Sequence, residues 1–261
     1  MLARIAALAL TGLAGALLAA APAAARAVDE PLARFEDPIC PGVAGLKVEL
    51  AEMIVYRMRE VAASLGRRLA AEEGCEANLV LAVVADGQAF ARRMEERRGW
   101  SLADLTVRER AELLDDSGPA RAFLRVRPVS RDGILIGRRE NLVDIPQTTM
   151  WMAHSKIYTA TRNDIVSSLV LLDRDAVAGL TLTQLADYAV FRGLTRTLPE
   201  TEAARGRSIV SLFDGGGERP AGLTEFDLAF LGELYEGQPN IPGPLRQLAL
   251  EQATGVDVFE Q

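Results

Sequence analysis

The sequence has few of the residues that most often build metal and nucleophilic sites. Its 261 residues include two cysteines and one histidine, His154. One histidine cannot supply a metal cluster, and two cysteines with one histidine lack the fourth ligand and the close spacing of a structural zinc site. No serine lies in a G-x-S-x-G motif, and the glycines at 215–217 lack the Lys-Ser/Thr of a phosphate-binding loop. The sequence therefore predicts no metal and no other cofactor.

Long apolar runs are missing except at the N-terminus. There, Arg4 precedes a largely apolar run over 5–21, and two overlapping A-x-A patterns follow at 23–25 and 25–27. This order is typical of a secretory signal peptide. A permanent membrane anchor is the alternative, but the run is alanine-rich and only weakly hydrophobic. We therefore expect residues 1–27 to be cleaved, leaving a periplasmic or secreted protein with no stable membrane span.

The charge balance and the cysteine count limit the partners and the compartment. The formal net charge is −7, which disfavours binding to nucleic acid or to anionic membrane surfaces. Both cysteines, Cys40 and Cys75, lie in the mature chain. Because exported proteins fold in an oxidising environment, this even count predicts one disulfide rather than a metal site.

The mature chain, 28–261, is long enough for one domain, with a C-terminal helical extension from about residue 237. Its apolar periodicities alternate between those of helices and those of strands. The order of elements predicts an α/β (α+β) class, with one mixed sheet and helices packed on it. The predicted helices cover 43–69, 88–98, a segment ending near 115–116, 182–193, 224–235 and a segment after Pro244. The predicted strands cover 79–84, 120–129, 150–159 and 165–172, and 195–220 is predicted to be irregular.

Three ordered motifs lie in the C-terminal half. The helix from Leu182 closes on Gly193-Leu194, a Ser-containing segment follows at 208–213, and L-T-x-x-D-x-x-x-L-x-x-L-Y runs from Leu223 to Tyr235. Together they resemble a family of secreted proteobacterial proteins of unknown function. The helix is also similar to the zinc-binding helix of metzincin and matrixin peptidases. The resemblance covers roughly residues 165–236 and implies a degenerate, zincin-like fold.

The zinc ligands of that peptidase helix are absent from this sequence. Its pattern is H-E-x-x-H-x-x-G-L, with a third ligand three residues after the glycine. The resemblance places the three ligand positions on Ala186, Val190 and Arg196, and the general-base position on Asp187. None of the three ligand positions can donate a lone pair to zinc. The resemblance therefore implies a pseudo-peptidase scaffold without peptidase chemistry.

Helical spacing leads to the same expectation without any family. Ala186 and Val190 are four residues apart and share an apolar stripe, which predicts core packing. Asp187, beside the stripe, is either a surviving acid–base group or an exposed or helix-capping carboxylate, and we favour the latter. His154 is either half of a Ser/His or Cys/His pair or a polar histidine on an edge strand, and we again favour the latter.

These observations favour an exported, non-catalytic protein with a binding or structural role on a degenerate scaffold. Its expected partner is an envelope protein or peptide. The alternative is a divergent periplasmic hydrolase with catalytic candidates Asp187, Tyr188 and His154. A third hypothesis, an assembly factor for the cell envelope, is not separated from the first by any residue.

Overall fold

A four-stranded mixed sheet forms the centre of the molecule. The computed structural model describes residues 30–98, 105, 107–136, 155, 157–215 and 219–259. The strands are β1 (Pro41–Ala44), β2 (Leu79–Val84), β3 (Ala120–Ser130) and β4 (Thr161–Asp173). Their order across the sheet is β1-β2-β4-β3. β1, β2 and β4 are parallel, and β3 is the antiparallel edge strand beside β4.

Helices cover both faces of this sheet, which confirms the predicted mixed α/β class. The helices are α1 (Val48–Ser64), α2 (Gly87–Arg98), α3 (Val107–Asp115), α4 (Leu182–Leu194), α5 (Glu202–Arg205), a 3₁₀ helix (Ile209–Phe213), α6 (Glu225–Tyr235) and α7 (Gly243–Thr254). Helices α1 and α4 pack against each other on one face, and α2 and α3 lie on the other. The result is a three-layer arrangement.

The alternation of side chains along the strands assigns the two cores. Leu79, Leu81 and Val83 of β2 point into the larger core, which contains α1, α4 and α6. Ala82 of the same strand and Leu171 of β4 point into the smaller core beneath α2 and α3. A parallel strand that is buried on both faces has a continuous apolar sequence, as β2 does. This is why β2 lies at the predicted residues.

Several predicted boundaries are wrong. The helix predicted over 43–69 covers only Val48–Ser64, and a strand precedes it. Gly45 separates the two elements with φ 82°, and a side chain there would collide with the carbonyl group of Val83. The described residues of the strand predicted over 150–159, namely 155 and 157–159, are not in a strand. The segment predicted to be irregular over 195–220 contains α5 and the 3₁₀ helix.

The N-terminal segment is tied to the sheet in two places. The Arg34 amide donates to the Asn163 carbonyl at 3.2 Å, and the Ile165 amide donates to the Arg34 carbonyl at 2.9 Å. The predicted Cys40–Cys75 disulfide is confirmed, with 6.2 Å between the Cα atoms. It joins the residue before β1 to the loop before β2. The predicted signal peptide lies outside the described residues and stays a prediction.

The C-terminal helix belongs to the same core as the sheet. Helix α7 packs on α6, and Leu250 and Val258 are fully buried in the larger core. The Glu200 amide also donates to the Val258 carbonyl at 2.8 Å. The residues after 237 are therefore integrated with the domain. None of the helices in the described ranges combines the length and apolarity needed to cross a bilayer.

Candidate functional site

Helix α4 carries most of the candidate residues, and its position is set at its N-terminus. The Thr181 hydroxyl accepts from the Gln184 amide at 3.1 Å, and the Gln184 side chain accepts from the Thr181 amide at 2.9 Å. This reciprocal capping box was predicted from the sequence. The Gln184 side chain also donates to the Pro220 carbonyl at 2.7 Å, which ties α4 to the loop before α6.

The predicted apolar stripe on α4 is confirmed as core. Of the stripe residues, Ala186, Ala189 and Val190 are fully buried in the larger core, and Leu182 is partly buried against it. Gly193 allows the close approach of α4 to the sheet, because a Cβ atom there would lie 2.9 Å from the Ser168 hydroxyl and would collide with Leu79. Gly193 therefore has a packing role in this chain.

Asp187 is neither exposed nor at the helix terminus, contrary to the expectation we favoured. Only 1% of its side chain is exposed. Its Oδ1 accepts from Nε of Arg57 at 2.8 Å, and its Oδ2 accepts from the other arm of the same guanidinium at 3.1 Å. Oδ2 also accepts from the Leu223 amide at 2.9 Å. The carboxylate therefore joins α1, α4 and the loop before α6.

The partner of this carboxylate lies at the solvent boundary. The side chain of Arg57 is 39% exposed, and its guanidinium also approaches Glu60 at 3.7 Å. The hydrogen bond to Asp187 is the main reason that the pKa of Arg57 is raised above its ordinary value. Gly222 lies so close that a Cβ atom there would be 2.6 Å from Oδ2 of Asp187.

Tyr188 follows Asp187 in sequence but has different neighbours. Its ring makes an edge contact with Phe213 of the 3₁₀ helix, with 4.8 Å between the ring centroids. The guanidinium of Arg192 lies 5.9 Å from the centre of the ring. Burial raises the pKa of the Tyr188 phenol. The third candidate of the hydrolase alternative, His154, lies outside the described residues, so that alternative remains an untested hypothesis.

Asp227 organises a cluster that the sequence argument recognised only as a helix cap. Its carboxylate accepts from the Ser208 hydroxyl at 2.6 Å and from the Ile209 amide at 2.8 Å. It also accepts from the amide and the hydroxyl of Thr224, each at 2.9 Å. Burial raises the pKa of Asp227, although these four hydrogen bonds oppose the shift. The serine motif and the L-T-x-x-D motif are therefore two halves of one buried cluster.

Tyr235, the last residue of the third motif, connects α6 to α4 and to the N-terminal segment. Its hydroxyl donates to the Leu194 carbonyl at 2.7 Å and accepts from the Phe35 amide at 3.1 Å. The guanidinium of Arg67 lies 4.5 Å from the ring centroid. Desolvation by burial raises the pKa of the Tyr235 phenol.

Two buried arginines hold the C-terminal end of α6. Arg34 donates to the carbonyl groups of Leu234 and Gly237 at 3.3 and 3.0 Å. Arg246 donates to the carbonyl groups of Glu233 and Glu236, both at 2.7 Å. Cations at a helix C-terminus satisfy its unpaired carbonyl groups and its dipole. The sequence motifs did not predict these contacts. Arg34 lies about 200 positions before its partners, whereas Arg246 reaches back 10 and 13 positions, from α7 to the end of α6.

Arg196 lies just beyond α4, where desolvation lowers the pKa of its guanidinium and the charge of Glu30 opposes this shift. Within the described ranges, histidine, cysteine, aspartate and glutamate side chains form no group of three suited to a metal ion. The fold and these clusters define a mixed α/β protein in which the motif residues connect α1, α4, α6 and the N-terminal segment. Comparisons of the chain with protein-family models, curated proteins and solved structures found no match.

Proposed function

We propose that this chain is an exported, non-catalytic binding protein on a degenerate zincin-like scaffold. The observation that carries the proposal is the environment of helix α4. Ala186 and Val190, at two of the positions that the resemblance assigns to zinc ligands, are fully buried in apolar surroundings. Asp187, at the general-base position, is held by Arg57 and the Leu223 amide.

The residues present do not fit a zinc ion. A catalytic zinc site needs three lone-pair donors and an open position for water. Alanine and valine side chains have no donor atom, and the guanidinium of Arg196 is a cation that repels a divalent metal. The packed apolar side chains of α4 also leave no polar, open position at the two helical ligand sites. We therefore derive no metal-dependent step for this chain.

Export is supported by the cysteines and by the N-terminal sequence. Disulfides persist in the periplasm and outside the cell, and they are rare in the cytosol. The Cys40–Cys75 disulfide and the signal-like order of residues 1–27 both favour the same compartment. This location favours a binding or structural role in the cell envelope, because the positions of the peptidase zinc ligands hold Ala186, Val190 and Arg196. A role in envelope assembly would be one form of such binding.

The hydrolase alternative receives less support from the geometry. It requires Asp187 and Tyr188 to act at one place, but the two side chains face different partners. Asp187 contacts α1 and the loop before α6, whereas Tyr188 contacts the 3₁₀ helix. A buried carboxylate already paired with arginine is a common structural element rather than a free base.

The test combines capture and hydrolysis on the full chain with its own leader and an intact disulfide. We expect brief chemical crosslinking in the source cells to join the protein to a defined envelope protein, identified by mass spectrometry. We expect no hydrolysis of a mixed peptide library or of small ester substrates. Hydrolysis that is lost in a folded Asp187→Asn variant would overturn the proposal, as would failure to capture any envelope protein.

A further inference from the structure

Helix α1 has a second face, turned away from α4 and the sheet. This face, which we call the α1 face, comprises Glu49, Glu52, Met53, Tyr56 and Glu60. All five side chains are exposed, with Met53 at 60% and Tyr56 at 66%. Their spacing of three and four residues aligns them along one side of the helix over three turns. An exposed aromatic side chain thus lies one turn from carboxylates on both sides.

The carboxylates of the α1 face favour a binding partner of positive charge. Glu52 lies one turn before Tyr56, and Glu60 lies one turn after it. Arg57, a cation on the same helix, holds the buried carboxylate of Asp187 and also approaches Glu60 of the α1 face at 3.7 Å. Because this one guanidinium serves two carboxylates, the α1 face keeps a net negative charge around its aromatic and thioether side chains. Tyrosine and methionine are enriched in interfaces, and tyrosine rings bind guanidinium groups through cation–π contacts.

We propose that the α1 face is the docking surface for an arginine-rich helical or extended segment of a partner protein. This inference rests on the proposed binding function and names its surface. A guanidinium stacked on Tyr56 would reach the carboxylates of Glu52 and Glu60, and Met53 would cover the apolar part of the same segment. Opposite charges at the rim steer association and exclude partners of the wrong charge.

The same charges argue against other occupants. A second copy of this chain would bring the α1 face against itself in a two-fold contact, so that its three carboxylates would face like charges. An anionic lipid surface or a nucleic acid would be repelled for the same reason. A positively charged protein segment is the occupant that the charge of the surface favours.

The probe for this proposal is a synthetic amphipathic helical peptide with arginine on its polar face and leucine on its apolar face. Binding to the full mature chain is measured by calorimetry. We expect Tyr56→Ser and the triple change Glu49→Gln, Glu52→Gln, Glu60→Gln each to weaken binding about tenfold. The matched control is Glu72→Gln, Glu73→Gln, Glu76→Gln, which removes three exposed carboxylates from the loop before β2. This control should change affinity less than about twofold.

Three other outcomes of these measurements would overturn the proposed docking surface. If the control triple weakens binding as much as the α1 triple, the attraction is general and the α1 face is not a site. If a peptide with glutamate in place of arginine binds equally well, the charge argument is wrong. If the chain dimerises and Tyr56→Ser abolishes the dimer, the occupant is a second copy.

The proposed function and this surface fail in different ways. If wild type and Tyr56→Ser capture the same envelope protein equally well, the binding function is supported and the α1 face is refuted as its docking surface. If no envelope protein is captured by the wild type, the binding function itself is refuted. Because all the changed side chains are exposed, unchanged melting temperatures should show that every variant is folded.

Discussion

Replacing Arg57 by methionine tests the structural role assigned to Asp187. Methionine retains the apolar stem of the arginine and removes the guanidinium. The carboxylate of Asp187, with 1% of its side chain exposed, then keeps one donor, the Leu223 amide. Removing one partner of a fully buried ion pair costs about 3–5 kcal/mol. Arg57 is 39% exposed, so water can enter when it is removed, and we expect a loss of about 2–3 kcal/mol.

Replacing Asp187 should lower the free energy of unfolding less than replacing Arg57 does. In Asp187→Asn the buried charge disappears, and the half-exposed Arg57 can turn to water and to Glu60. We expect a loss of about 1–2 kcal/mol, typical of losing a charge-assisted hydrogen bond. The double variant should be more stable than the sum of the two single losses predicts, by about 1 kcal/mol, because it no longer buries an unpaired charge. Glu60→Gln is the control, since its exposed pair with Arg57 should contribute less than about 0.5 kcal/mol.

Urea denaturation with the disulfide intact measures all four variants on one scale. The free energy of unfolding is obtained by linear extrapolation, and equal slopes indicate that the variants unfold to equivalent states. The reasoning is refuted if Arg57→Met costs no more than Glu60→Gln. It is refuted equally if the two single losses add in the double variant, because the two groups would then be independent.

Four further changes test other parts of the structure. Cys40→Ser together with Cys75→Ser should lower the free energy of unfolding by about 4 kcal/mol, because the bridge spans 35 positions, and a loss under 1 kcal/mol in urea titrations would contradict this. Gly193→Ala should destabilise by about 1–2 kcal/mol through collision with Leu79 and Ser168. Gly232→Ala in α6, with open space around its Cβ position, should stabilise the protein by about 0.5–1 kcal/mol. The melting temperature should therefore fall in Gly193→Ala and rise in Gly232→Ala, and shifts in the same direction would contradict both assignments. Tyr235→Phe should cost about 1–2 kcal/mol at pH 7. Because burial raises the folded-state pKa of this phenol, its stabilising contribution is present below about pH 10 and is lost as the pH rises through the folded-state pKa. The difference between wild type and Tyr235→Phe in urea titrations should therefore narrow in alkali, and a constant difference would contradict the assignment.

The fold was predictable where one local pattern dominates. The apolar run over Leu79–Val84 and the capping boxes at Thr181 and Thr224 lie where the sequence placed them. The short strand β1 was missed because its four residues, with a proline and a glycine, carry no period-2 signal. It exists because it pairs with β2, and such pairing is a tertiary effect that propensity does not record.

The candidate site was less predictable, because its contacts are distant in sequence. Spacing placed Asp187 beside an apolar stripe, and we expected an exposed or helix-capping carboxylate there. The guanidinium that buries and satisfies the carboxylate comes from α1, 130 residues earlier in the chain. Similarly, the T-x-x-D pattern predicted the cap at Thr224, but the hydrogen bond from Ser208 to Asp227 joins two separate motifs. The available signal in the sequence was a carboxylate within a helix rich in apolar residues, because such a group needs a partner from elsewhere in the chain.

The zinc content of the mature protein, isolated from its native compartment without chelators, tests the central claim most directly. The claim is that Ala186, Val190 and Arg196 leave the scaffold without a zinc site. We expect far less than one zinc per chain by mass spectrometric metal analysis, and a melting temperature that a chelator leaves unchanged. About one tightly bound zinc per chain, lost together with stability on chelation, would contradict the account.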